Sequence, residues 1–343
     1  MTRIALIGSR TTKERNGRGN GLTSWEITDG EWVPIDRLNL TNPSWLTKGQ
    51  SSLAYVLHGD GNTVSVVNVS PSGQLTHLQE TTAHGENPVH CAVVEDSYLV
   101  VANYATGTVV SLPISDTGLL GEPITVVHLA EENARLQQEH LDATQKPSHP
   151  HQIIVDADAG VIYVPDKGLD AVFTLAFSSG KIEMQSAVST RDGSGPRHGV
   201  IINDKLYVVG ELNSTLMSFT RGPSGNLTMD ADICLLPERM GGTENTGSGI
   251  CYVPDNSVLL VSNRGSDGIS VLQVGESLKL SHFVPCYGPF PRFISSSETN
   301  SLLVAHEYGD TITIHSLDAI LEGDSRCRVV ASTGSPVCVL TTD

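Results

Sequence analysis

One short pattern returns along this chain: a turn bearing proline or glycine that leads into an apolar run. It reads NPSWL at Pro43, NPVHCAVV at Pro88, HPHQIIV at Pro150 and GPRHGVII at Pro196. It returns as GSGICYV at Ser248, FPRFISS at Pro291 and SPVCVL at Pro336. Successive copies lie roughly 45 residues apart, with one longer interval before Pro150. A second pattern follows each copy, as in AYVLHGDGNTVSVVNV, YLVVANYATGTVVSLPI, VIYVPDKGLDAVFTLAF and LYVVGELNSTLMSF. β-Branched and aromatic residues flank a cluster of Gly, Asn or Asp, which is the chemistry of strand, tight turn, strand. A weaker fourth strand, such as LTMDADICLL, carries the chain onward.

Four short strands per unit of about 40–50 residues predict an all-β fold, a β-propeller. Seven units make it seven-bladed. One unit is split. RIALIGS and GLTSWEI stand at the N-terminus without a leading strand, and the missing strand, PVCVLTT, stands at the other end. The C-terminal strand is therefore expected to complete the N-terminal blade, closing the ring and removing two open sheet edges. A closed ring needs no partner for its stability.

The chain is 343 residues long and 39% hydrophobic, enough for a sizeable core, and is expected to form a single domain over 1–343. The long interval holds an insertion at about 128–148, HLAEENARLQQEHLDATQKPS. Its EENARLQQEHL segment has helix formers for two or three turns and is expected to serve as a loop or lid over one face. A net charge of -17 argues against nucleic acid and anionic membranes as partners. No apolar run is long enough to span a bilayer. The start lacks a signal peptide's apolar stretch, and the six cysteines have no metal-type spacing, so reduced thiols in a cytoplasmic protein are expected.

The turns of all blades converge on the ends of the central channel, so residues at matching positions in different blades become neighbours. The leading turns supply His90, His149, His151, Arg197, His198 and Arg292. The ends of the second runs supply Asn103, Asp166, Glu211, Arg264 and Glu307. Asn103 and Asp166 read as structural, satisfying backbone groups at strand ends. Arg197, Glu211 and Arg264 read as functional, because a buried charge is costly unless something pairs it. Three arginines bunched in a chain with only 21 basic residues point to a small polyanion, carboxylate or phosphate. His149 and His151 lie two apart and would point the same way on an extended chain. No third ligand accompanies them and the arginines would repel a cation. No metal and no cofactor is therefore expected, and a neutral histidine that donates hydrogen bonds or shuttles a proton fits better.

Together these motifs resemble the lactonase family of seven-bladed propellers. The matching pieces are NPVHCAVV with YLVVANYATGTV, HPHQIIVDADAGVIYVPDKGLDAV, GSGPRHGV with YVVGELNSTL, NTGSGICYVPDNSVLLVSNRGSDGISV, and PFPRFISSSETNSLLVAHEYGDTITI. They run in order over roughly residues 50 to 318. The resemblance implies a hydrolase of a sugar-acid lactone, of the 6-phosphogluconolactonase kind. The alternatives are a carboxy-cis,cis-muconate cyclase and a non-catalytic propeller used as an interaction platform. The resemblance places the catalytic set on a histidine of the HxH turn (His149 or His151), Arg197, Glu211 and Arg264. The reading taken forward has His151, Arg197, Glu211 and Arg264 catalytic, with Glu211 or His151 as the base. His149, His198, Arg292 and Glu307 would then bind a small anionic lactone or dicarboxylate. Two departures stand out: Gly210 where the family has an amide before the glutamate, and His306-Glu307 where an amide is usual. A carboxylate at Glu307 would disfavour a highly charged phosphate ester.

Overall fold

The structure, a computed structural model, describes residues 3–137, 146–275, 277–297 and 300–342. Seven antiparallel sheets of four strands each account for the repeats. The leading runs form the first strand of each sheet: Pro43–Lys48, Pro88–Val94, Ile154–Asp156, Pro196–Ile202, Thr246–Val253, Pro291–Ser297 and Pro336–Thr342. These strands touch one another in turn round a closed circuit, so they line the channel. The second strands are Arg3–Ser9, Leu53–His58, Tyr98–Asn103, Val161–Asp166, Lys205–Gly210, Val258–Arg264 and Ser301–His306. We number the blades I to VII by the order of these second strands.

The second strands are apolar on both faces because both faces are covered by neighbouring blades. Leu53–His58 and Val161–Asp166 are buried almost throughout. The outer strands alternate instead: Leu75–Thr82 buries only one face. The core is thus a set of layers between blades rather than one central mass. Between blades III and IV, for example, Val100, Val109, Ile162 and Phe173 interlock. Each such side chain contributes about 1.5–3 kcal/mol of burial. Tyr55 and Tyr163 are also fully buried, and their hydroxyls are satisfied by Gly118 O (3.0 Å) and Asp156 Oδ2 (3.2 Å).

Closure is as expected. Pro336–Thr342 pairs antiparallel with Arg3–Ser9, from Ile4 opposite Thr342 to Ser9 opposite Pro336. In the insertion, a helix spans Leu129–Gln137. It packs against the outer strands Thr125–His128 and Lys181–Ser189 of blades III and IV, at the perimeter and not over the channel. The expected lid is therefore not formed by this helix; the remainder of the insertion, 138–145, lies outside the described residues. No helix among the described residues is long and apolar enough to cross a membrane.

Candidate active site

Six of the seven first strands open on a β-bulge, and the seventh is preceded by a slipped bridge; this irregularity sets the site. In blade II, Pro43 lies opposite His58 while Trp45 lies opposite Leu57, so Ser44 is the extra residue. Val89, Arg292 and Val337 are extra in the same way in blades III, VII and I. The slip falls at Arg197–His198 in blade V and at Ser248–Gly249 in blade VI. In blade IV the Pro150–Asp166 bridge precedes it, which puts His151 at the equivalent place. A bulge re-aims the side chain of its extra residue. Ser44, Val89, His151, Arg197, Arg292 and Val337 all line one chamber of about 80 Å3 in the channel.

A second ring lies just above. The residue that ends or directly follows each second strand is Arg10, Gly59, Tyr104, Lys167, Glu211, Arg264 and Glu307 in blades I to VII. A shared hydrogen bond fixes six of them. The N–H groups of Arg10, Gly59, Tyr104, Lys167, Glu211 and Glu307 donate to the carbonyls of Ser335, Asn42, Asn87, His149, Gly195 and Phe290, at 2.9–3.0 Å. Arg10, Tyr104, Lys167, Glu211 and Arg264 line a more open cavity of about 190 Å3. It shares Arg10, Val89, His151 and Arg292 with the inner chamber.

Glu211 is the electrostatic centre. Its Oε1 meets Lys167 Nζ, and its Oε2 lies 2.8 Å from Arg197 Nε and 3.1 Å from Arg264 Nη2. Burial alone would raise this carboxyl. Arg264 and Arg197, with His151 and Lys167, outweigh burial and hold it far below the usual carboxylate range. A carboxylate held this way is a poor proton acceptor and a good anchor for cations.

The arginines keep donors to spare. Arg197 is only 3% exposed, and neither its Nε nor its Nη1 has a hydrogen-bond partner among the described residues. Its contact with Glu211 is therefore ionic, without a directed N–H bond. Arg264 bonds Gly247 O at 3.1 Å, lies 5.2 Å from the Phe290 ring, and leaves its Nε unpartnered. Arg292 Nη1 reaches Glu307 Oε2 at 3.3 Å. Asp60 bridges Arg10 and Arg15. Five cations, Arg10, Arg15, Lys167, Arg264 and Arg292, thus line the open cavity with one carboxylate, Glu211, in a chain whose net charge is -17. Buried guanidinium donors without partners are a recognition surface for an oxyanion.

Burial keeps three channel histidines, His90, His151 and His198, neutral. Burial first, then Arg197, lowers His151 well below the usual histidine range, and the same causes act on His198. His90 falls to about 3 for these reasons too. His151 lines both chambers, and its Nδ1 has no partner among the described residues. Below it the rings of His198, His90, Trp45 and Phe293 continue down the channel, edge to face except for the tilted His90–Trp45 pair. Among the described residues no group of three or more His, Cys, Asp or Glu side chains is arranged to hold a metal.

The lactonase family model for a seven-bladed β-propeller matches residues 4–341. The chain belongs to the lactonase family. A 6-phosphogluconolactonase of Bacillus subtilis is 26% identical to it, over 98% of this chain and 97% of the relative. Among solved structures, a protein from Lactobacillus plantarum superposes with a TM-score of 0.86 at 23% identity, covering both chains completely. The Pseudomonas aeruginosa periplasmic gluconolactonase PpgL gives 0.83 at 21%, covering 100% of this chain and 99% of its own.

Against this lactonase frame, the structure brings His151, Glu211, Arg264 and Arg292 to the open cavity and Arg197 to the inner chamber, where its Nε lies 2.8 Å from Glu211 Oε2. His198 lines only the inner chamber. Glu307 turns its carboxylate onto Arg292. His149 does not face the cavity: it stacks flat on Tyr104 at 4.3 Å, with Nδ1 2.8 Å from the Tyr104 carbonyl oxygen. Asp166 serves the backbone, accepting from the N–H groups of His149, Gly168 and Leu169. Sequence reasoning missed Arg10, Arg15, Tyr104 and Lys167. The signal for three of them was present: Arg10, Tyr104 and Lys167 occupy the Glu211 position of their own blades.

Proposed function

We propose that this protein hydrolyses the lactone of a small anionic sugar acid. The observation that carries this reading is the Arg197–Arg264 pair. It is anchored by Glu211, leaves N–H groups unpartnered among the described residues, with Arg197 on the inner chamber and Arg264 on the open cavity, and stands beside a neutral histidine that lines both. Water adds to the lactone carbonyl while the two guanidinium groups stabilise the oxyanion that forms. His151 takes the proton from water and returns it to the ring oxygen as the carbon–oxygen bond breaks, leaving a free hydroxyl and a carboxylic acid, which ionises to the carboxylate by releasing its proton to solvent. Glu211 holds the arginines in place and takes no proton. The names carried by the Bacillus and Pseudomonas relatives support the substrate class. All six cysteines are unbridged, which suits a reducing, cytoplasmic setting.

The test is the opening of δ-gluconolactone and its 6-phosphate by purified protein, measured above the spontaneous rate. Loss of an arginine donor is expected to lower kcat by about 10²–10³. Full activity in both Arg197→Ala and Arg264→Ala overturns the reading. So does turnover of carboxy-cis,cis-muconate with no opening of any lactone.

A further inference from the structure

We propose that Arg10, seated in a cradle left by Gly59, is a specificity-determining anchor for an oxyanion substituent on the substrate, apart from the reacting ring. This rests on the lactonase reading and names the part of the substrate that the Glu211 cluster leaves unrecognised.

Three observations carry it. First, Arg10 is 4% exposed and lines both chambers, and its Nε is buried with no hydrogen-bond partner among the described residues. Second, its charge is only partly answered. Asp60 Oδ2 lies 3.2 Å from Arg10 Nη1, but Arg15 grips both oxygens of the same carboxylate, with Nε 2.8 Å from Oδ2. On the other side Arg292 is paired with Glu307. Three cations here meet two carboxylates, so one positive charge faces the cavity without a partner.

Third, the neighbouring blade makes room for it. Gly59 holds the ring position that carries a long side chain in the other blades. A Cβ at Gly59 would fall on Arg10 Nη1 and within 2.8 Å of Ser44 Oγ. The guanidinium occupies the volume of the missing side chain. Arg10 belongs to blade I, whereas Lys167, the residue that completes the Glu211 cluster, belongs to blade IV, three blades round the ring. The pocket has two ends: one for the oxyanion of ring opening, and one for a carboxylate or phosphate carried elsewhere on the molecule.

The experiment compares a neutral lactone (δ-gluconolactone), a carboxylated one (a glucaric acid lactone) and a phosphorylated one (6-phosphogluconolactone) in wild type, Arg10→Met, Arg10→Lys and Gly59→Ala. The wild type is expected to prefer at least one anionic lactone. Arg10→Met should lower the ratio of anionic to neutral kcat/KM at least tenfold through KM. Arg10→Lys should restore part of it, and Gly59→Ala, which displaces the guanidinium without removing its charge, should lower it. Whether the carboxylated or the phosphorylated arm shows the effect identifies the oxyanion.

Calorimetric binding of gluconate, glucarate and 6-phosphogluconate reads the same discrimination without turnover. A wild type that opens no lactone overturns the lactonase reading, while the binding ratio still decides the role of Arg10. Equal losses on all three lactones in every variant, together with unchanged binding ratios, overturn the anchor.

Discussion

At the scale of the residue, the site is a problem of charge burial, solved by one carboxylate shared among three cations. Replacing Glu211 by Gln leaves Arg197 and Arg264 buried and unanswered. The expected cost is about 3–5 kcal/mol at pH 7, read by denaturant unfolding, together with loss of activity. The sign of the pH dependence follows from the lowered carboxyl. The stabilisation is fully present above the unfolded carboxylate value of about 4.3 and drains away as the pH falls below it. The gap between wild type and Glu211→Gln should therefore narrow on acidification; a gap that stays constant down to pH 3 contradicts it. His151 gives the opposite kind of test. Its lowered pKa keeps the imidazole neutral through the ordinary histidine range near about 6.5, so kcat/KM should stay flat through that pH and fall only in stronger acid. His151→Ala should lose about 10²–10⁴ in rate, and an inflection at pH 6.5 in the wild type would assign the base elsewhere.

The residues of the site were unevenly legible, for a reason of register. Glu211, Arg264 and Glu307 are visible as charges next to apolar runs. Arg10, Tyr104 and Lys167 sit at the same ring position but escaped notice. In blades III and IV the eye stops one residue early, at Asn103 and Asp166, whose side chains serve the backbone. In blade VI the second strand runs one residue further, through Arg264 itself, and this hides the offset. The spacing of His149 and His151 misled in another way. A two-residue spacing gives one face only on a regular strand, and here the first strand does not begin until Ile154.

At the scale of the element, the recurring device is the bulge that opens six of the seven first strands. An extra residue costs a ladder pairing, and in return it aims a side chain into the channel instead of into a blade interface. In blade V this rests on Gly199, the first residue to regain register, opposite Val208. A Cβ there would come within 2.5 Å of Tyr207 O, and its N–H donates to Gln152 Oε1 at 2.6 Å. Gly199 is absent from the lining of both chambers. Gly199→Ala is nonetheless expected to push the strand away from Lys205–Gly210 and move Arg197 with it. It should cost about 1–3 kcal/mol in stability and reduce kcat more than KM. A stable variant with wild-type kcat would show that the bulge tolerates a shift of the strand. Phe290 is the other strained element: an aromatic residue at φ 63°, stacked on Tyr308 at 4.1 Å and placed over Arg264. Its N–H donates to Asp267 Oδ1 at 2.8 Å, which holds the turn against a conformation bulky residues avoid. Strain of this kind beside a buried guanidinium fits a turn shaped for the pocket more than for the blade.

At the scale of the molecule, the ring was readable because its period was. Seven leading turns announced seven sheets, and the displaced strand announced how the circle shuts. The path of the insertion was less readable, since helix-forming residues fix a helix but not the surface it packs on. Closure also makes the clearest whole-molecule prediction. The last strand gives Val337 and Cys338 to the channel wall and the core layer between blades I and II, and Val339 to the layer between blades VII and I. Deleting Pro336–Asp343 removes those contacts together, exposes the inner edge of Arg3–Ser9, takes Val337 away from the pocket wall, and leaves Ser335, whose carbonyl accepts from Arg10 N–H, as a free chain end. The loss should exceed the roughly 4–5 kcal/mol that marks the most severe single substitutions, and should abolish one cooperative melting transition. Adding the missing strand back as a synthetic peptide should restore part of the transition, because its ladder pairing in the intact chain is with Arg3–Ser9 alone. A truncated protein that melts as sharply and as high as the full chain would mean that the seven blades hold their circle by packing alone, with no need of the final strand.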